Sequence, residues 1–177
     1  MFSVFKNHKD DIRNAALGFA TTALALIAFQ PSAEARASSS TEASNKAAVQ
    51  KGFDAWSAGT GSPYELLADD ARWTIEGNSV VSKTYPTKED FMREVIRPFN
   101  ARMRSPLKPM IRSLYADRDT VVVFFDARGI ARDGQPYANT YAWFLDMRAG
   151  RIVRASAFFD AIAFNDLWAR VAPAQAN

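Results

Sequence analysis

The chain has 177 residues, 48% of them hydrophobic, with 22 Lys and Arg against 19 Asp and Glu, a single histidine and no cysteine. A formal net charge of +3 is a small imbalance, so nucleic acid is not expected as a partner. The missing cysteines exclude disulfides, a thiolate nucleophile and the thiolate zinc sets, and the one histidine, His8, falls in a segment that reads as removable.

That segment is residues 1–37. Lys6, Lys9 and Arg13 make a basic start, Ala15 to Phe29 is an uncharged and mostly apolar run, Pro31 breaks it, and Ala35-Arg36-Ala37 supplies a small-x-small cleavage pattern. The run is shorter than the roughly 20 apolar residues of a membrane span. It predicts a signal cleaved after Ala37, a periplasmic or secreted protein, and no stable membrane insertion after cleavage; an uncleaved anchor is the alternative. Cleavage would remove His8, and the mature chain would then have neither imidazole nor thiol. No metal and no cofactor is expected, a Ser-His-Asp site is excluded, and any proton transfer falls to Asp, Glu, Tyr or Lys.

In chain order, residues 38–44, with Ser-Ser-Ser-Thr at 38–41, read as a flexible leader to a single domain over 45–172, followed by a tail at 173–177. Ala48, Val49, Gly52, Phe53 and Trp56 follow helical spacing up to Gly59. Ser62-Pro63-Tyr64-Glu65 opens a short second helix with a capping box. Residues 71–76 alternate as a strand with Ala71, Trp73 and Ile75 on one face, and 80–85 read as a second strand. Thr87 caps a third helix, with Asp90 at N3, an apolar stripe of Phe91, Val95, Phe99 and Met103, and Pro98 expected to kink it. Arg93, Arg97, Arg102 and Arg104 read as its solvated face.

Four strands follow, over 107–116, 120–131, 137–147 and 151–160, with Asp133-Gly134 as a hairpin signal. Asp160 closes an apolar strand immediately before a helical pattern over 161–171. It is either the N-cap of that helix or a buried acid whose pKa an apolar pocket would raise. Asp126 and Arg128 share a strand face with Val122 and Phe124, either toward a pocket or as a solvated pair. Asn139, Tyr141 and Trp143 share a face on the next strand, as hydrogen-bond donors to a ligand or as core residues with satisfied polar tips. Trp73, Phe99, Phe124 and Phe158 are candidates for an apolar wall.

This order of elements, with Leu67-Ala-Asp-Asp-Ala-Arg-Trp73, Asp133-Gly-Gln-Pro-Tyr-Ala-Asn139-Thr-Tyr141-Ala-Trp143 and Gly150-Arg-Ile-Val leading to Phe158-Phe-Asp160, resembles the nuclear transport factor 2-like superfamily. Within it the chain is most similar to the SnoaL-like and ketosteroid-isomerase-like branch. The resemblance implies an α+β fold in which a curved, mostly antiparallel sheet wraps round three N-terminal helices to form a cone with an apolar pocket, often dimerised through the convex sheet face. It places Asp160 where acidic catalytic residues occur in the cyclase-like and epoxide-hydrolase-like branches. The expectation is therefore an exported pocket protein for a small apolar molecule. It would be a cofactor-free isomerase, cyclase or hydrolase with Asp160, Asp126 and Tyr141 catalytic and Asn139, Trp73, Arg128, Phe99, Phe124, Trp143 and Phe158 binding. The alternative is a non-catalytic ligand-binding or dimerisation module, since fold does not settle function.

Overall fold

In this computed structural model the chain is described over residues 32–174, so the expected export signal up to residue 31 and the end of the tail lie outside the described residues. The first helix, α1 (Ala33–Ala58), starts at Ser32, whose hydroxyl accepts from the Ala35 N–H at 3.2 Å, and stops at Gly59. There φ reaches +75°, the left-handed turn glycine adopts without strain. Residues 38–44, expected as a leader without regular structure, are helical: Ser40 Oγ folds back onto the Ala37 carbonyl and Ser38 bonds Glu42, so the serines are satisfied inside the helix. Val49 and Phe53 form the buried stripe of α1. Among the described residues no helix is long and apolar enough to cross a membrane.

A 3₁₀ turn (Pro63–Leu66), with Glu65 Oε1 accepting from the Ser62 N–H at 3.1 Å, leads into β1 (Leu67–Ile75), whose Ala71, Trp73 and Ile75 face inward. The strand expected over 80–85 shrinks to β2 (Thr84–Tyr85). Ser82 Oγ takes the Ser79 N–H at 2.9 Å and reaches the Ser79 hydroxyl at 2.8 Å, which ties that stretch into a turn in place of a ladder. Thr87 caps α2 (Lys88–Phe91) by accepting from the Asp90 N–H at 3.1 Å. A wide π turn (Met92–Ile96) then carries the chain into α3 (Arg97–Asn100). Pro98 lacks an N–H and crowds the carbonyl four residues back, and the widened turn sits directly ahead of it. Phe91, Val95, Phe99 and Met103 are buried as the stripe required.

Of the arginines expected on a solvated face, Arg93 and Arg97 are exposed and paired with Asp90 and Glu89. Arg102 is the correction: it is buried, its guanidinium lies 3.9 Å from the Trp168 ring centroid, and it donates to the Pro98 carbonyl at 2.9 Å. The aromatic face supplies the attraction that burial would otherwise remove.

The rest is β3 (Met103–Asp117), β4 (Thr120–Ala131), β5 (Pro136–Arg148), β6 (Arg151–Phe159) and α4 (Ala161–Arg170). The curved, unclosed six-stranded sheet has the order β2-β1-β6-β5-β4-β3. All neighbours are antiparallel except β1 and β6, which run parallel. β3 is an edge, which is why it tolerates Pro106 and Pro109. Strict alternation sends Val121, Val123, Phe125 and Ala127 of β4, and Tyr137, Asn139, Tyr141, Trp143 and Leu145 of β5, to the concave face, where all are buried. Their even-numbered neighbours face out.

Candidate functional site

The concave face is filled at one end and hollow at the other. Where α1 crosses β3 and β4, Phe53 meets Phe125 edge-on at 4.8 Å and Trp143 at 5.5 Å, and Val49, Val121 and Val123 are fully buried. Under α2 and α3, Phe91 and Phe99 reach the sheet at Trp73 and Tyr137, but the space is not filled and a cavity of about 490 Å³ remains. Its inner wall is Trp73, Ile75, Phe91, Tyr141, Trp143 and Ala157, all buried. The rings brace one another. Trp73 stacks on Phe91 at 4.4 Å and stands edge-on to Trp143 at 5.0 Å, while Tyr141 stacks on Phe125 at 4.8 Å. Such pairs contribute about 0.5–1.5 kcal/mol each beyond burial, which lets the wall hold its shape around a void.

Polar groups enter this wall as neutral donors. Tyr141 Oη lies 3.1 Å from Tyr137 Oη, and Asn139 Nδ2 donates to that same Tyr137 oxygen at 2.9 Å. Either hydroxyl can donate across the Tyr137–Tyr141 contact; in the arrangement where Tyr137 donates, the Tyr141 proton is left for the cavity. Burial holds the Tyr141 phenol well above its ordinary pKa, with the neighbouring Tyr137 adding to the shift; burial likewise raises Tyr64, which lines the cavity, and Tyr137 behind it. These hydroxyls stay protonated over the physiological range. They can bind an acceptor such as a carbonyl or ether oxygen, and they cannot serve as bases near neutral pH.

Asp160 is not in the cavity. It is exposed, and its Oδ1 accepts from the Ile162 N–H at 2.8 Å and the Ala163 N–H at 3.4 Å, as the N-cap of α4. The expectation of a buried acid beside Tyr141 is overturned. The strand ends one residue earlier than the apolar run suggested, at Phe159, and the helix claims the carboxylate. Asn139 explains how the corner is held. Its Oδ1 accepts from the Asp160 N–H at 2.9 Å and its Nδ2 donates to the Asp160 carbonyl at 2.9 Å, so the side-chain amide continues the β5–β6 ladder past its last backbone pair. Mid-strand asparagine is a staple here.

Asp126, Arg128, Phe124 and Phe158 are corrected together, because all four lie on the convex face. Asp126 is only 9% exposed, yet what covers it is the Arg112 side chain and Thr140 on the outside of the sheet. The Thr140 hydroxyl at 2.7 Å, and then Arg112 at 2.7 Å, hold its carboxyl below the usual range. Arg128 is exposed, and Phe124 and Phe158 are 36% and 48% exposed. Trp73, Phe99, Tyr141 and Trp143 do line the cavity. So do Trp56, Tyr64, Phe91, Phe159 and Arg104, which the sequence reading did not assign to it. Tyr137, two residues before Asn139 on the same strand face, was legible by the same alternation that found Tyr141. No cluster of three or more metal-ligating side chains exists among the described residues.

Comparison with known proteins agrees with this geometry. The family model of the SnoaL-like domain matches residues 49–155. An NTF2-like protein from Burkholderia thailandensis E264 superimposes with a TM-score of 0.58 at 20% identity, covering 70% of this chain and 96% of that one. A protein named as a SnoaL-like polyketide cyclase, from Jannaschia sp. CCS1, gives 0.55 at 20% identity, covering 70% and 90%. An LEH-like epoxide hydrolase from M. tuberculosis gives 0.52 at 16% identity, covering 73% and 92%. At these identities the likeness is one of fold. No protein of curated function matches the chain in sequence.

Proposed function

From the premise that this chain belongs to the SnoaL-like domain family, we propose that it is a non-catalytic binding protein for a small, largely aromatic molecule carrying a hydrogen-bond acceptor. One observation carries the reading: among the described residues the roughly 490 Å³ cavity is lined by rings, aliphatic groups, neutral hydroxyls, the Asn100 amide and, at its rim, the Arg104 guanidinium, with no carboxylate or imidazole that could act as a base near neutral pH. An isomerase, cyclase or hydrolase of the cofactor-free kind needs a base in contact with its substrate. The acids expected for that task are spent elsewhere, Asp160 on a helix and Asp126 on Arg112 and Thr140. What remains is a preformed apolar pocket with a few placed donors, the usual form of a ligand site.

The test is capture. The mature domain, purified from its native host, should carry an apolar ring compound identifiable by mass spectrometry, and Ala157→Leu, which fills the cavity, should lose it. An empty wild-type protein whose tryptophan fluorescence is also unmoved by polycyclic carbonyl compounds would overturn the reading.

Two further parts of the proposal concern setting. Residues 1–37 act as an export signal; cleavage after Ala37 would remove the first turn of α1 with its Ser32 cap, and N-terminal sequencing of the secreted protein checks it. The chain pairs with a second copy through the convex sheet face, where Phe124, Phe144 and Phe158 are 36%, 42% and 48% exposed and Phe144 meets Phe158 at 6.0 Å. Light scattering of the wild type and of a Phe144→Ser, Phe158→Ser double variant reads the oligomer directly.

A further inference from the structure

The cavity opens to solvent where its lining becomes exposed, at Gly59, Asn100, Arg104 and Pro106. Among the described residues of the lining, Arg104 is the one that carries a charge. Its position is built. The β3–β4 register steps from Met103 opposite Ala131 to Ser105 opposite Ile130, which leaves Arg104 as the extra residue of a β-bulge. Such bulges re-aim a side chain out of the alternation of its strand. The neighbourhood is close-fitting. Ser105 Oγ accepts from the Ile130 N–H at 2.9 Å in place of a ladder bond, and a Cβ on facing Gly129 would stand 3.2 Å from the Ser105 carbonyl oxygen and would push the Met103 methyl aside. Of the neighbouring arginines, Arg93 and Arg97 are held by carboxylates and Arg102 by Trp168, and Arg132, whose backbone N–H donates to the Arg102 carbonyl, does not line the cavity. The Arg104 guanidinium makes no hydrogen bond or ion pair among the described residues. Glu65, beside Gly61 in the lining, is held by the Ser62 N–H and does not itself line the cavity.

We propose that Arg104 receives the anionic head of the ligand, so that the cavity takes aromatic carboxylates, ring system inward against Trp73 and Trp143 and carboxylate at the rim. This rests on the pocket reading above and adds the charge of the ligand to it. A guanidinium offers a planar fork of donors matched to a carboxylate, and its methylene stem covers apolar rim while the head stays in water. Because the group is exposed, its contribution is a preference and not the bulk of the affinity.

The experiment compares two near-isosteric probes, anthracene-2-carboxylate and anthracene-2-carboxamide, titrated against the tryptophan fluorescence of the wild-type domain and of Arg104→Gln, Arg104→Lys and Arg128→Gln. The expected result is a preference for the carboxylate of roughly fivefold in the wild type and in Arg128→Gln. It should be partly kept in Arg104→Lys, lost in Arg104→Gln, and reduced by salt, with carboxamide affinity the same in all four proteins. Equal affinity for the two probes in the wild type, or a preference that survives Arg104→Gln, overturns the role of Arg104 and leaves the pocket standing. Failure of both probes to bind removes the pocket reading with it.

Discussion

Ala155 and Ala157 sit two apart on β6, both pointing inward and both buried, and they belong to different kinds of interior. Ala155 lies between Trp73 and Leu145 in the register of its neighbours and does not touch the cavity, whereas Ala157, between Ile75 and Trp143, lines it. One end of the concave face is therefore packed as a core, under α1, and the other is left open under α2 and α3. The lesson is that aromatic content does not distinguish the two. Phe53 and Phe125 close the filled end with the same residue types that Trp73, Phe91 and Trp143 use to wall the void. What differs is whether the opposing side chains fill the space: Phe91 and Phe99 touch the sheet and still leave a void.

The contrast can be broken most severely at the filled end. Phe53→Ala should lose about 3–5 kcal/mol in urea denaturation, because the ring is enclosed by Phe125 and Trp143 and nothing can collapse into its place. The hydroxyls of the hollow end give the next effect. Tyr64 and Tyr141 have phenols raised above the ordinary value by burial, so their contribution is intact below about pH 10 and declines above it, as the unfolded chain ionises and the folded one does not. Unfolding free energy measured at pH 11 should fall by roughly 1.4 kcal/mol for each phenol held neutral. Ligand binding should be flat from pH 5 to 9, where no lining group titrates.

The two alanines sharpen the comparison directly. Ala155→Leu should cost about 1–3 kcal/mol through overpacking, while Ala157→Leu should change stability by less than about 1 kcal/mol and abolish ligand binding. Equal costs at both sites would mean the hollow end is as tightly closed as the filled one. The smallest effect belongs to Asp160. Asp160→Ala should cost about 1 kcal/mol for the lost helix cap, and Asp160→Asn, which can still cap, should leave stability and ligand affinity at wild-type levels. A loss of turnover in Asp160→Asn, on any substrate, would make Asp160 catalytic from its exposed position at the helix cap.

Much of this molecule was legible before folding. The caps at Gly59, Ser62 and Thr87, the inward set Ala71, Trp73 and Ile75, the stripe of the third helix and the strands of the meander all follow from local rules, because turn residues and side-chain periodicity act over a few positions. The same rules place Asn139, Tyr141 and Trp143 on one face, and Asp126 and Arg128 on one face. They do not say which face is concave. That sign is set by the direction in which the whole sheet curls and by where α1 lands on it, and it sent the second set outside.

Asp160 shows the same division. Local sequence permitted two fates for its carboxylate, a helix cap or a buried acid, and each was physically sound. Tertiary structure decided between them when Asn139 fixed the corner of β6 and aimed the aspartate at the amides of α4. Which residues form strands and helices, and which end them, is a matter of short-range sterics and hydrogen bonding that sequence states on its own. Where a void remains, and which polar groups reach it, depends on distances between elements far apart in the chain, and only the assembled sheet and helices set those.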